Sequence, residues 1–197
     1  MKSTSAHTIF VESNLSFSFD NQWIVKKFDD HSFYQQLAGK GLKGVDFIGI
    51  YQQKTVVLME VKNYIDRYLK DTKNPSEDFL NNQAYHLQKI AQKFVDSLRL
   101  IEVVHQSYRR KIWFRFFEKT LFKIVKPDRF LHREFGFWRH CWQLIQDGNL
   151  RLIFWIEIDR SNQVILEILD KNLPTFVEIV NQKTQPFGNN LKVEFKK

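Results

Sequence analysis

Three charged residues stand where an apolar strand would be expected to continue. In the stretch GVDFIGIYQQKTVVLMEVKNY, residues 44–64, Asp46 opens one apolar run, and Glu60 and Lys62 close another. Side chains alternate along a strand, so Glu60 and Lys62 share a face. A turn at Gln52-Gln53-Lys54 brings Asp46 across from about Glu60. Register decides whether Asp46 joins that face, and the near-equal arms allow it. Two carboxylates and an ammonium then converge beside an apolar sheet. Buried charges need partners, and each of these supplies one for another. A divalent metal would be a better partner. Mg²⁺ binds through one or two carboxylates plus waters and substrate phosphate. It lowers the pKa of a bound water and stabilises charge on a phosphate under attack. Lys62 is placed to position or deprotonate that water and to offset developing charge. The plain structural alternative is a surface hairpin with an i, i+2 ion pair.

The elements that must position these residues are legible in outline. Leu15–Asp20 and Trp23–Phe28 alternate around Asp20-Asn21-Gln22 and predict a hairpin. Asp29 or Asp30 is placed to cap a short helix to about Ala38. Residues 39–44, GKGLKG, form a loop. Val45–Tyr51 and Thr55–Lys62 predict strands, and Asn63–Pro75 a polar connection. A helix is expected from Ser76, its cap, to about Leu98. A second is expected from about Glu102 to Val125, ending before Pro127. Phe130–Gln146 predicts a third, stopping at Asp147-Gly148-Asn149. Leu150–Ile158, dense in apolar residues, predicts a central strand covered on both faces. Val164–Leu169 fits strand or helix. Pro174–Gln182 predicts a helix and Leu191–Phe195 an edge strand. Alternating strands and helices make this an α/β or α+β chain.

Asp46, followed after thirteen residues by Glu60-Val61-Lys62, resembles the PD-(D/E)xK nuclease superfamily. The motif-bearing hairpin followed by a long helix is similar to that family's core order of helix, three strands, helix, strand. The resemblance covers roughly Asp30–Leu98, with Leu150–Ile158 as a further sheet member. It implies an α/β, restriction-endonuclease-like fold, with a central mixed sheet flanked by helices. It further implies Asp46 and Glu60 as ligands of Mg²⁺ or Mn²⁺, the Val61 carbonyl as another, and Lys62 as catalytic. Many members add an acid from the preceding segment; Glu12 is the candidate, with Asp29 and Asp30 as rivals. Two departures stand out. The proline before the aspartate is Val45 here. The Gln and Tyr that some exonuclease members carry four residues apart are Gln83 and Tyr85, only two apart. Gln83, Tyr85 and Gln88 remain candidates to line the site.

Charge points to the same class of partner. The 197-residue, 23.8 kDa chain carries 30 Lys and Arg against 22 acids, net +8. Ten of those cations, against three acids, lie between His105 and His140, with ten of the 30 aromatics. Cations displace counterions from phosphates and rings stack on unpaired bases, so this composition suits nucleic acid. The alternative is an amphipathic helix with a solvated basic face and a buried aromatic one. Lys111, Arg115, Lys119 and Lys123 recur every four residues and form one ridge. Arg109, Arg110, Arg129 and Arg133 are further candidates to contact nucleic acid, as are Lys40 and Lys43 in the glycine-rich loop. That loop reads G-x-G-x-x-G but follows a helix and enters a strand, the reverse of a dinucleotide site. The single cysteine, Cys141, excludes an intramolecular disulfide and a multi-thiolate zinc site, and is expected as a buried small hydrophobe. No signal peptide or membrane-length apolar run is present, which predicts a cytoplasmic protein without membrane contact. The expectation is one domain over residues 1–197 with a basic, aromatic-rich helical insertion at about 102–147. Its expected activity is metal-dependent phosphodiester hydrolysis, with DNA the expected substrate. A non-catalytic nucleic-acid-binding module is the alternative. A homodimer or a partner protein is compatible with the aromatic-rich helices.

Overall fold

The computed structural model describes residues 7–28, 42–65, 75–110, 131–159 and 163–196. Its strands are β1 (Thr8–Glu12), β2 (Leu15–Phe19), β3 (Trp23–Lys27), β4 (Phe47–Tyr51), β5 (Thr55–Tyr64), β6 (Leu150–Ile158), β7 (Val177–Val180) and β8 (Leu191–Phe195). Its α-helices are α1 (Pro75–Asn81), α2 (Gln83–Arg110), α3 (Glu134–Gln146) and α4 (Gln163–Asn172). The architecture is mixed α/β with two sheets. Five strands lie in the order β3-β4-β5-β6-β7, and three in the order β1-β2-β8. Within the larger sheet β3, β4 and β5 are antiparallel, whereas β5–β6 and β6–β7 are parallel.

Alternation along the strands divides the molecule into layers. On one face of the larger sheet, Ile48, Ile50, Val56, Leu58, Leu152, Phe154 and Ile156 pack against helix residues such as Phe94, Ile101, Phe137, Trp138 and Ile165. On the other face, Phe47, Val57, Met59, Val61, Ile153 and Trp155 meet Leu15, Phe17, Phe19, Leu191 and Val193 of the smaller sheet. The layers are therefore helices, five-stranded sheet, three-stranded sheet. Among the described residues helices cover one face, so the expectation of a sheet flanked by helices holds on that side. β2 and β8 are short and apolar on alternate residues only. Such strands suit an antiparallel sheet with one solvated face.

The expected hairpin at residues 15–28 is not formed. Both strands exist, but β2 pairs with β1 and β8, and β3 pairs with β4. The turn at Asp20 (its carboxylate accepts from the Gln22 amide at 2.9 Å) hands the chain from one sheet to the other. Leu15, Phe17, Phe19 and Trp23 consequently bury in one cluster between the sheets. Phe17 packs at 5.2 Å from Phe47 and 5.3 Å from Trp155. β1 precedes β2 through Ser13-Asn14, both at positive φ (50° and 61°), the backbone of a two-residue hairpin turn.

Three further expectations are corrected. The helices expected at 76–98 and 102–125 meet within one continuous helix, α2, which crosses that boundary because no Pro or Gly interrupts Gln83–Arg110. The break falls instead at Asn82, between α1 and α2. Ser76 is not a cap; it lies inside α1, which starts at Pro75, a residue suited to the first helical position. Pro174–Gln182 is not a helix. Pro174 opens a turn whose carbonyl accepts from Val177, and Val177–Val180 becomes β7. The ambiguous stretch at 164–169 is helical, within α4. β1 was not expected; β2, β3, β4, β5, β6 and β8 stand close to where they were expected, and β6 lies inside the larger sheet with both faces covered. The short helix to Ala38 and residues 111–130 of the basic segment lie outside the described residues. α3 belongs to the helix layer: Phe137, Trp138 and Cys141 are buried in its core, and Glu134 pairs with Lys26 of β3. Gly148 ends it at φ 77°. No helix among the described residues is long and apolar enough to cross a membrane.

Candidate active site

Register brings the charged residues together. β4 and β5 pair Phe47 with Met59, Ile48 with Leu58 and Tyr51 with Thr55. One step further along the ladder sets Asp46 opposite Glu60. Asp46, Ile48 and Ile50 share the parity of Glu60, Leu58 and Val56, so both carboxylates point to the helix-covered face. The Val61 amide donates to Asp46 Oδ2 at 2.7 Å, which fixes that carboxylate against β5. Glu60 is fully buried. Lys62 Nζ bonds Glu60 Oε1 at 2.6 Å and the Val61 carbonyl at 3.2 Å. The Lys62 side chain is 37% exposed, so the cluster opens to solvent on its side.

A fourth charged residue completes the cluster, and sequence reasoning missed it. Lys93, from α2, lies 2.7 Å from both oxygens of Glu60 and 3.7 Å from Asp46 Oδ1. The buried positions of α2 include Ile90, Phe94, Ser97, Ile101 and Val104. Lys93 adjoins that stripe, as do Asp96 and Ser97. Polar residues in the path of an apolar stripe were the available signal.

The helix also holds the strand that carries Asp46. Ser97 Oγ accepts from the Val45 amide at 2.9 Å and donates to the Lys93 carbonyl at 2.7 Å. Asp96, almost fully buried, accepts from the Lys43 amide at 3.2 Å and from Gln92 at 2.7 Å. Amides of the segment entering β4 are thereby satisfied by side chains of one helical turn.

Burial and then the Glu60 charge push the Asp46 carboxyl from its usual 3.8 up to about 7, against Lys93, Lys62 and the Val61 amide. For Lys62 burial opposes the charge, but Glu60, Asp46 and Glu12 outweigh it and raise the ammonium above its ordinary value. In the metal-free protein these charges favour Lys62 as a cation and hydrogen-bond donor. Burial, Glu60 and Asp78 raise the Tyr64 phenol, which therefore stays protonated.

Glu12 stands at the margin. It ends β1, pairs with Lys27 at 2.8 Å, and its charge contributes to the Lys62 shift. Gln83 is not brought in. It is exposed at the start of α2 and donates to the Leu80 carbonyl at 3.1 Å. Ten helical residues separate it from Lys93, about 15 Å along the axis. Tyr85 and Gln88 are also exposed, and Lys89 covers the Tyr85 ring at 3.9 Å. Lys43, Arg109, Arg110 and Arg133 are exposed. Arg109 and Arg110 end α2, sixteen and seventeen residues from Lys93, about 24 Å along the axis. Asp29, Asp30, Lys40, Lys111, Arg115, Lys119, Lys123 and Arg129 lie outside the described residues. Cys141 is buried, with its thiol pushed well up by that burial.

The donors that would hold a divalent ion are Asp46, Glu60 and the Val61 carbonyl, an all-oxygen set of the kind Mg²⁺ and Mn²⁺ take. Their fit to a cation is tested by Lys93, whose ammonium already stands between the two carboxylates. Among the described residues no group of three or more His, Cys, Asp or Glu is disposed to hold a metal. An ion here would draw its remaining ligands from water or substrate. No family model matches the chain, and neither does any curated protein or solved structure.

Proposed function

We propose that this chain is a metal-dependent nuclease of restriction-endonuclease-like fold that hydrolyses phosphodiester bonds, with DNA as its substrate. The observation that carries this reading is the convergence of Asp46 and Glu60 on one face, with Lys62 bonded to Glu60 and to the Val61 carbonyl. The order of three antiparallel strands, a long helix and a parallel fourth strand supports it. Asp46, Glu60 and the Val61 carbonyl would hold Mg²⁺ or Mn²⁺. When bound, such an ion supplies a Lewis acid for the phosphate and makes a neighbouring water more acidic. Lys62, charged and partly exposed, orients the attacking water and offsets the negative charge that develops on the phosphoryl oxygens. Exposed Lys43, three residues before Asp46, is close enough in sequence to steady the nucleic-acid backbone.

The second reading is a nucleic-acid-binding module that does not cut. Lys93 favours it, because with Lys62 it already neutralises the two carboxylates without a metal.

Cleavage separates the two. Purified protein is incubated with plasmid, linear and single-stranded DNA and with RNA, in Mg²⁺, Mn²⁺ or EDTA. Metal-dependent cutting is expected, falling to background in Glu60→Ala and by about 10²-fold in Lys62→Ala, the scale of one lost electrostatic donor. Absence of cutting with salt-sensitive binding retained would replace the nuclease by the binding module.

A further inference from the structure

We infer that Lys93 is an internal competitor of the divalent ion, occupying its place in the metal-free protein and leaving when the ion enters. This rests on the metal-dependent reading above. Both Glu60 oxygens accept from Lys93 Nζ at 2.7 Å, and the remaining Asp46 oxygen, Oδ1, lies 3.7 Å from the same nitrogen. Asp46 Oδ2 is already taken by the Val61 amide. An ion bridging the two carboxylates would therefore need the oxygens that Lys93 holds. A divalent cation and an ammonium cannot share those lone pairs, and like charges at that separation repel strongly.

The arrangement is built into the fold. Lys93 belongs to the helical turn whose Ser97 bonds the Val45 amide, so the element that positions Asp46 also delivers its counter-ion. Departure is feasible as well. The Lys93 side chain is 23% exposed and its ammonium ends a flexible four-carbon stem, so it can swing to water without moving the helix. Lys62 differs in that it bonds one Glu60 oxygen and the Val61 carbonyl, also candidate ligands, from their own strand, whereas Lys93 reaches both carboxylates from α2. Before metal binds, Lys93 offsets part of the repulsion between two close carboxylates. The same contact sets a threshold that a divalent ion must overcome.

The test is Mn²⁺ binding, read by the loss of the free-ion electron paramagnetic resonance signal at about pH 8. Full-length wild type, Lys93→Met and Glu60→Gln are compared. Met keeps the stem and removes the charge. Lys93→Met is expected to bind Mn²⁺ on the order of 10- to 100-fold more tightly, the usual span of coupling between linked ligands. Glu60→Gln is expected to lose binding. In parallel, the side-chain nitrogen resonance of Lys93 in ¹⁵N-lysine-labelled wild type is followed as Mg²⁺ is added. It should move toward the value of a solvated ammonium, which decides the matter even where Lys93→Met does not fold. Equal or weaker Mn²⁺ binding by a folded Lys93→Met, or a Lys93 resonance unmoved while metal binds, would overturn the competitor role and leave the nuclease reading intact. No Mn²⁺ binding by any of the three proteins would remove the metal site and this inference together. Binding by Lys93→Met alone would support the competitor role and show that wild type is held closed by its own lysine.

Discussion

Asp46 gives the site a measurable signature without substrate. Its carboxyl is raised from 3.8 to about 7, with burial the first cause and Glu60 the second. Between those values the folded protein binds more protons than the unfolded chain. This carboxyl therefore contributes stability that falls as pH rises from about 4 to about 7, by at most about 1.4 kcal/mol per pH unit. Lys62 acts in a different window: its raised value contributes stability that is complete below 10.5 and lost as pH rises through the folded value. Glu157 is also raised by burial and adds a slope of the same sign as Asp46. The useful quantity is thus the difference between wild type and Asp46→Asn. Denaturant midpoints in EDTA from about pH 5 to 7 should fall more steeply for wild type, and parallel curves would refute the shift. The charged trio was legible in sequence because Glu60 and Lys62 interrupt an apolar strand and Asp46 opens its partner. Lys93 was not, because a lysine on a long helix is ordinarily a solvated one. Only packing of that helix on β5 turns it inward.

At the scale of elements, α2 organises the entrance to β4. Ser97 accepts from the Val45 amide one residue before Asp46. Ser97→Ala leaves that buried amide without its acceptor, a loss of about 1–3 kcal/mol. Cleavage should decline further than the unfolded fraction explains, because Asp46 loses its register against Val61. Thermal melting and turnover measured on the same samples would reveal it, and unchanged turnover in folded Ser97→Ala would show that α2 does not position the site. The strands around the site were readable because their apolar runs end at turn residues such as Gln52-Gln53-Lys54. Pairing was harder. Leu15–Asp20 and Trp23–Phe28 have the pattern of a hairpin, but their aromatic faces bury in one layer between two sheets, and that decides their partners. β7 escaped for a related reason: FVEIV alternates weakly beside Pro174, and its identity as a strand comes from lying along β6.

At the scale of the whole molecule, the question is where the positive charge acts. The net charge of +8 is concentrated between His105 and His140, whereas the cluster of Asp46, Glu60, Lys62 and Lys93 lies at the end of β5. Arg109 and Arg110 stand about 24 Å along α2 from Lys93, so one duplex would have to span both regions if both touch it. That distance is about seven base pairs at 3.4 Å per step, well within a single binding footprint. Counterion release makes this measurable. Each phosphate contact on B-DNA contributes about 0.9 to the slope of log K against log salt. Binding of a duplex about twenty base pairs long to Glu60→Ala in EDTA, which prevents cutting, should weaken steeply with salt. Replacing Arg109, Arg110, Lys111 and Arg115 together by alanine in that background should reduce the slope by about 3 to 4 if all four contact phosphates. A slope reduced by about 1 or less would show that those cations do not contact phosphates. The substrate would then be gripped from the Lys43 and Lys62 side alone.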